Sequence, residues 1–437
     1  MPRPKPERQK VPFTPVDETF IHMDSLRHPN NVHVEVRAPG KLDAERLREA
    51  VLNAIELHRM TWVQLADDPE EPDKLEWEVN ENPQDPLLVV EVSDDADLQR
   101  CRNKFVSIAP DITQAPPLIV WLVRHPEGDA VMFNFHHAAA DGMASIRFMQ
   151  SVTRSYAGEE DPIAGPDELE VRNEKLVFDS AEVSTADRIK QMAIIAKGMS
   201  GKPAPIYAKD PDFQAGYTCS LLKLAEKDFK KLDYKQFDAT FNDLAIAAMH
   251  KTVEQWNKGN KQDSETIRIP VPANLRPAEW ARDVMGNYFN AFMTNTTQAD
   301  RKSQKKLMQA VVSQTRQGKQ YKIAEVLYTG INEGSRMPAK FRKLILKSMV
   351  GVQACSATCT NLGRIPEIIS FGDHGDATEV ILTGPAPWPV ATILGITSYG
   401  GKLFLSFRFC RDMLNQESGD EFAKLYLETL SWLGKKQ

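Results

Sequence analysis

His136 and His137 stand side by side, followed by three alanines, Asp141 and Gly142. Histidine is the side chain suited to taking a proton at neutral pH, because a pKa near 6.5 leaves the neutral imidazole abundant there. A hydroxyl is a poor nucleophile until its proton is removed, and a positioned base is typically worth about 10²–10⁴-fold. The pair therefore offers proton abstraction from an acceptor alcohol or amine. Metal binding is the second chemistry open to paired histidines, but neighbours on a strand point to opposite faces and grip one ion poorly. No metal is expected. Plain structural use, with one or both rings hydrogen-bonded in a core, is the third reading.

The neighbouring elements must place these rings. Ala130 to Phe135 is β-branched and aromatic, as a buried strand should be. Alternation puts Val131, Phe133, Phe135 and His137 on one face, and Met132, Asn134 and His136 on the other. After Gly142, Ile146, Met149, Val152 and Tyr156 recur at helical steps. Asp141 stands where a carboxylate suits the N-cap and the positive end of the helix dipole. The segment predicts strand, tight turn, helix, with a histidine at the mouth of the turn.

HHxxxDG, here filled by Ala138, Ala139 and Ala140, resembles the signature of the chloramphenicol-acetyltransferase-like superfamily. That group includes peptide-synthetase condensation domains, wax-ester and diacylglycerol acyltransferases, and polyketide-associated and plant-type alcohol acyltransferases. Other segments follow in the same order. Asp24-Ser25-Leu26-Arg27, Asn31 to Val34 and Leu42 to Leu47 are similar to the opening strand and helix; Ile267 to Pro277 and then Gly286-Asn287-Tyr288 resemble the arginine-terminated strand; Thr360 to Pro366 resembles the Asn-Leu-Gly turn. The family's His-Pro-x-Leu-Arg close to the first helix reads instead His58-Arg59-Met60-Thr61-Trp62.

The resemblance implies an α/β fold of two lobes, each a mixed sheet flanked by helices, packed as a V around an active-site tunnel. It implies that His137 is the general base, that His136, Asp141 and Gly142 support the loop, and that Gly142 lets the backbone turn closely. It implies that Arg276 forms a buried ion pair with Asp141 and ties the lobes together. A buried carboxylate needs such a partner, and the planar guanidinium can hold it through two bonds, so Asp141 is not expected to be a relay acid. The implied donor is an acyl thioester, on coenzyme A or on a carrier protein's phosphopantetheine arm, with no permanently bound cofactor.

Attack on a thioester carbonyl creates an oxyanion that needs a donor nearby. Asn361, Thr358 and Ser356 are candidates, and Asn274, Asn287 and Asn361 are either substrate contacts or turn formers. No Gly-x-Ser-x-Gly turn marks a nucleophilic serine, so direct transfer in a ternary complex is expected.

Three functions stay open. The first is a cytoplasmic acyltransferase taking small or medium acyl-CoA and a small-molecule hydroxyl or amine acceptor. The second is a free-standing condensation enzyme served by a separate acyl or peptidyl carrier protein. The third is a non-catalytic lobe pair. Thiol release from acyl-CoA against acyl-loaded carrier protein separates the first two, and release from neither favours the third.

The rest of the chain sets limits. With 437 residues and a net charge of −6, it is long enough for more than one lobe and has no general attraction for nucleic-acid phosphates. No apolar run is long enough to span a bilayer, and no apolar stretch follows the basic segment Met1 to Lys10 as in a secretory signal. Five cysteines, odd in number, read as reduced thiols in the cytosol. Cys355 and Cys359, with His374 further on, read as buried thiols rather than a zinc site. Phe371-Gly372-Asp373-His374-Gly375 reads as a surface turn, faintly similar to the DFGWG segment of plant-type acyltransferases.

Strands are expected over Val32–Val36, Leu87–Val92, Leu118–Arg124, Thr218–Leu224 and Leu403–Phe409, with a hairpin turn at Gly128-Asp129. Helices are expected over Asp43–Leu57, Asp97–Ile108, Glu226–Gln236, Thr240–Lys258 and Glu421–Leu433. Acids, glycine and proline after Tyr156 mark a linker, with some helix near Thr185–Met199. The boundaries drawn are a first lobe over 1–175, a linker over 176–205 and a second lobe over 206–437. Lys340 to Lys347 reads as a basic amphipathic helix: either a solvated face or a contact for donor phosphates or an acidic carrier protein.

Overall fold

The structure is a computed structural model and describes all residues except 1–7, 68–73, 173–182, 210, 212, 281–282, 336, 350–353 and 437. Part of the expected linker, 176–182, and most of the basic amino-terminal segment lie outside the described residues.

In the first half the strands are β1 (Lys10–Pro12), β2 (Asn31–Arg37), β3 (Val63–Leu65), β4 (Glu76–Val79), β5 (Leu87–Glu91), β6 (Leu118–Arg124) and β7 (Ala130–His136). In the second they are β8 (Tyr217–Ala225), β9 (Thr266–Asn274), β10 (Phe289–Thr297), β11 (Thr358–Arg364), β12 (Glu379–Thr383), β13 (Thr392–Tyr399) and β14 (Lys402–Cys410). They form a five-stranded sheet β12-β2-β7-β6-β5, a four-stranded sheet β11-β13-β14-β8, a two-stranded β10-β9 and a small β1-β4-β3. The two larger sheets are mixed: β5 runs parallel to β6 and β11 parallel to β13, while their other pairings are antiparallel. This is the two-lobed α/β architecture expected from the sequence.

Alternation along β7 works as its pattern requires. Val131, Phe133 and Phe135 join the core shared with helices Ala44–Leu57 and Gly142–Ala157, while Ala130 and Met132 pack with Phe105 and Leu98 of helix Asp95–Val106. Asn134 sits on this second face because its amide donates to the carbonyls of Phe105 (2.9 Å) and Ile108 (2.8 Å), which closes the helix end. In the second lobe, helix Phe241–Gly259 packs on β9 and β11 and helix Gln416–Leu433 on β8 and β14, with Leu244, Ala247, Ala248 and Thr252 buried as the periodicity predicts. Capping follows the sequence: the Asp43 carboxylate accepts from the amides of Glu45 and Arg46, and Thr240 closes a capping box with Asp243.

Several expectations change. Glu226 to Gln236 is one α-helical turn, Glu226–Phe229, and a separate 3-10 turn, Lys235–Phe237. Asn361-Leu362-Gly363 is not a free turn but a bulge inside β11, where Gly363 has φ +75° and the Asn361 side chain accepts from its amide at 2.8 Å. Helix Ala339–Met349 exposes Phe341 and Leu344 along with Lys340 and Lys347, so it lacks a buried apolar face along these residues. The lobes also do not follow the chain cut. β12 lies beyond residue 206 yet pairs antiparallel with β2, Glu379 to Thr383 against Arg37 to His33, and completes the first lobe's sheet.

One buried group sets an acid sensitivity. His250 is fully buried between Thr294 Oγ1 (3.0 Å) and Thr296 Oγ1 (2.9 Å). Burial, with Arg301 nearby, lowers its pKa to about 3. The unfolded chain takes up this proton near pH 6.5 and the folded chain does not, so stability falls as pH drops from about 6.5. Between pH 6.5 and 4.5, above the ordinary carboxylate range, denaturant titrations should lose up to about 1.4 kcal/mol per pH unit for each such histidine. A flat profile across that window would contradict a neutral His250.

Candidate active site

β7 ends at His136, and the chain turns so that His137 lies just past the strand. Its backbone amide donates to the Asn30 carbonyl at 2.9 Å, and its own carbonyl accepts from the Asn287 amide at 2.7 Å. The same Asn287 amide reaches the Ala138 carbonyl (2.9 Å) and the Asp17 carboxylate (3.1 Å). Asn287 is thus neither a substrate contact nor a turn former. It is a buried clamp on the histidine loop.

The His137 ring is 8 % exposed and stacks on Phe20 at 3.8 Å between centroids, with Phe289 alongside at 5.7 Å. Its Nδ1 is buried without a hydrogen-bond partner. Burial lowers its pKa to about 4, against the opposing pull of its own backbone carbonyl and the Asp141 carboxylate. At neutral pH the ring is therefore uncharged. His136 faces the other way: its Nδ1 accepts from the Ala138 amide at 3.2 Å and its Nε2 lies 3.6 Å from Asp24. The two rings have separate surroundings and share no ligand position.

Asp141 is 3 % exposed and caps helix Gly142–Ala157 through the Ala144 amide at 3.0 Å. Arg276 grips it with two bonds, 2.7 and 3.0 Å, and spends its remaining donors on the carbonyls of Val284 and Gly286 and on the Asn274 side chain. The Tyr288 amide also donates to Asp141 at 3.0 Å. Gly286 has φ +122°, and its carbonyl accepts from both Arg276 and the Asp141 amide. A left-handed glycine here turns one carbonyl toward both partners of the pair. Gly142 has an ordinary backbone conformation, and a Cβ there would meet methyls of Leu362 and Leu382 at 3.4 Å, an ordinary van der Waals contact.

A cavity of about 380 Å³ opens at His137. Of the oxyanion and substrate candidates, Thr358, Asn361 and Asn274 line it. Asn274 is committed to Arg276, since its side-chain oxygen accepts from that residue's backbone and guanidinium. Asn361 lines the cavity and uses its side-chain oxygen on the Gly363 amide. Ser356 lies outside the lining; it is fully buried against the Arg268 backbone. Phe20 and Asn30 were not singled out in the sequence, because only tertiary packing brings them to the ring.

The five cysteines are unpaired and buried; burial raises Cys355 to about 11 and Cys359 to about 12, values of inert thiols. His374 bonds instead to Asp373 (3.1 Å) and Tyr156 (3.4 Å), in a short 3-10 turn. Among the described residues one group of metal-capable side chains stands together, His28, Cys410 and Asp412. Its carboxylate is already held by Arg27 and by His28 at 2.6 Å, and burial raises the Cys410 thiol to about 12. No helix among the described residues is long and apolar enough to cross a membrane.

No protein-family model matches the chain. Two Mycobacterium tuberculosis proteins, uncharacterised protein Rv2305 of strain H37Rv and MT2362 of strain CDC 1551, are each 30% identical over 431 residues, spanning 97% of this chain and 99% of the relative. Among solved structures, the first condensation domain of the calcium-dependent antibiotic synthetase superposes with TM-score 0.73 at 14% identity, over 98% of this chain and 96% of that one. The starter condensation domain of rhizomide synthetase RzmA, a single-site mutant in complex with C8-CoA, gives 0.68 at 16%, over 98% and 95%. The condensation domain of the Monacolin K polyketide synthase MokA gives 0.67 at 15%, over 98% and 97%. The chain belongs to one family with mycobacterial Rv2305 and has the fold of synthetase condensation domains.

Proposed function

We propose that this protein is an acyltransferase that moves an acyl group from a thioester to a hydroxyl or amine acceptor. The observation that carries this reading is the uncharged imidazole of His137 at the wall of a largely apolar cavity. In the proposed step His137 takes the acceptor's proton as the acceptor oxygen or nitrogen attacks the thioester carbonyl. The tetrahedral oxyanion then collapses, the carbon–sulfur bond breaks, and the imidazolium returns the proton to the leaving thiolate. The Asn361 amide and the Thr358 hydroxyl are the donors proposed for the oxyanion. His136, Asp141, Gly142 and Arg276 act through the loop rather than on substrate. No covalent enzyme intermediate is required.

Acyl-CoA is the proposed donor, supported by the fold shared with a domain solved with C8-CoA. A carrier-protein donor is the second reading, favoured by the likeness to domains of multienzyme synthetases. Thiol release from acyl-CoA and from acyl-loaded carrier protein, each with a panel of alcohols and amines, tests both. Release from neither would overturn acyl transfer.

The depressed pKa of His137 gives a second expectation. The neutral ring is the active form, so kcat/KM should stay level from pH 7 down past 5.5 and fall only on approach to about 4. Short assays after a pH jump from neutral stock would measure this before any unfolding. An acid limb centred near 6.5 would contradict a buried, neutral base.

A further inference from the structure

β9 and β11 run beside each other but belong to different sheets. They begin to pair: the Ser356 amide donates to the Arg268 carbonyl at 2.8 Å, and the Arg268 amide donates to Ser356 Oγ at 3.3 Å. Backbone groups at every second residue point to the same edge, so positions 270 and 272 face β11 as Arg268 does. Both are proline, without an N–H to give. The pairing stops there, and the cavity that starts at His137 is lined by Pro270 and Pro272 on one side and Thr358 and Thr360 on the other.

The register of β10 against β9 orders this space. Phe289, next to the His137 ring, lies opposite Asn274; Ala291 lies opposite Pro272; and Met293 lies opposite Pro270. The lining is largely apolar, with Pro270, Pro272, Ala291 and Ile393, and its polar members include Asn30, His137, Asn274, Asn361, Thr358 and Thr360. A carbonyl beside His137 with a hydrocarbon tail along the seam fits such a lining.

We propose that the proline-interrupted seam between β9 and β11 is the pocket for the acyl chain, with Ala291 setting the chain length it accepts. This rests on the acyl-transfer reading above. Asn274 to Pro270, both on the cavity wall, spans about 13 Å at ~3.3 Å per residue. A zigzag chain of ~1.5 Å bonds advances roughly 1.3 Å per carbon, so the seam takes about ten carbons. The substrate class is a medium-chain acyl thioester.

Binding of straight-chain acyl-pantetheines from two to sixteen carbons, measured by calorimetry, tests the pocket without needing the acceptor. Affinity should rise roughly four-fold per methylene and level off near ten carbons. Ala291→Phe fills the middle of the seam, so the ten-carbon to two-carbon affinity ratio should fall at least about ten-fold. Pro270→Val with Pro272→Val restores two donors facing β11 and should lower the same ratio. The pocket is overturned if the wild-type series is flat, if neither variant changes its slope, or if chain-length dependence appears only with n-alkyl alcohols. A flat series with thiol release intact removes the pocket and leaves acyl transfer standing; no thiol release from any donor removes acyl transfer itself and the pocket with it.

Discussion

His137→Ala should lower kcat/KM for thiol release by about 10²–10⁴-fold, the usual worth of a positioned base. The variant should still unfold in one cooperative transition. The ring's Nδ1 has no hydrogen-bond partner, and the loop is held through its own backbone by Asn30 and Asn287, contacts that alanine keeps. Because the native ring resists protonation, the variant should also lose part of the acid destabilisation between pH 6.5 and 4.5. Turnover near that of the native protein would remove His137 from the chemistry. Collapse of the fold would make its role structural instead.

Asp141→Ala should act on the opposite axis. It strips the two-bond partner from an arginine whose side chain is 1 % exposed and leaves the amides of Tyr288 and Ala144 without their acceptor. Breaking a buried pair on one side typically costs about 3–5 kcal/mol. Urea titration should show the midpoint falling with little change in slope. Asp141→Asn, which keeps an acceptor oxygen in the same place, should fall between alanine and native. The pair also joins helix Gly142–Ala157 to the segment after β9, so activity should fall with stability. An Asp141→Ala variant that lost turnover while keeping its full unfolding free energy would place this carboxylate in the reaction.

Local pattern made much of this legible. The strand, turn and helix around His137, the caps at Asp43 and Asp141, and the buried face from Leu244 to Thr252 all depend on neighbours within a few residues. Arg276 as partner of Asp141 came through resemblance, since no local rule links residues so far apart. Phe20 and Asn287 escaped notice in their present roles because an aromatic on an amino-terminal helix and an asparagine in a loop gain meaning only from what packs on them. Strand pairing across the two halves is likewise invisible to alternation, which says which face a residue takes and not which strand lies beside it.

The strand Glu379–Thr383 has a consequence for how the gene product can be divided. Cut at the connecting segment, the amino-terminal piece would lack its outermost strand and present the bare backbone of Asn31–Arg37 to solvent, an invitation to self-association. The carboxy-terminal piece would keep Val380-Ile381-Leu382 against β13 and β14 but lose the core and the paired strand that cover them in the whole chain. Neither fragment is a module that recombination or truncation can pass on alone; each is the other's folding partner.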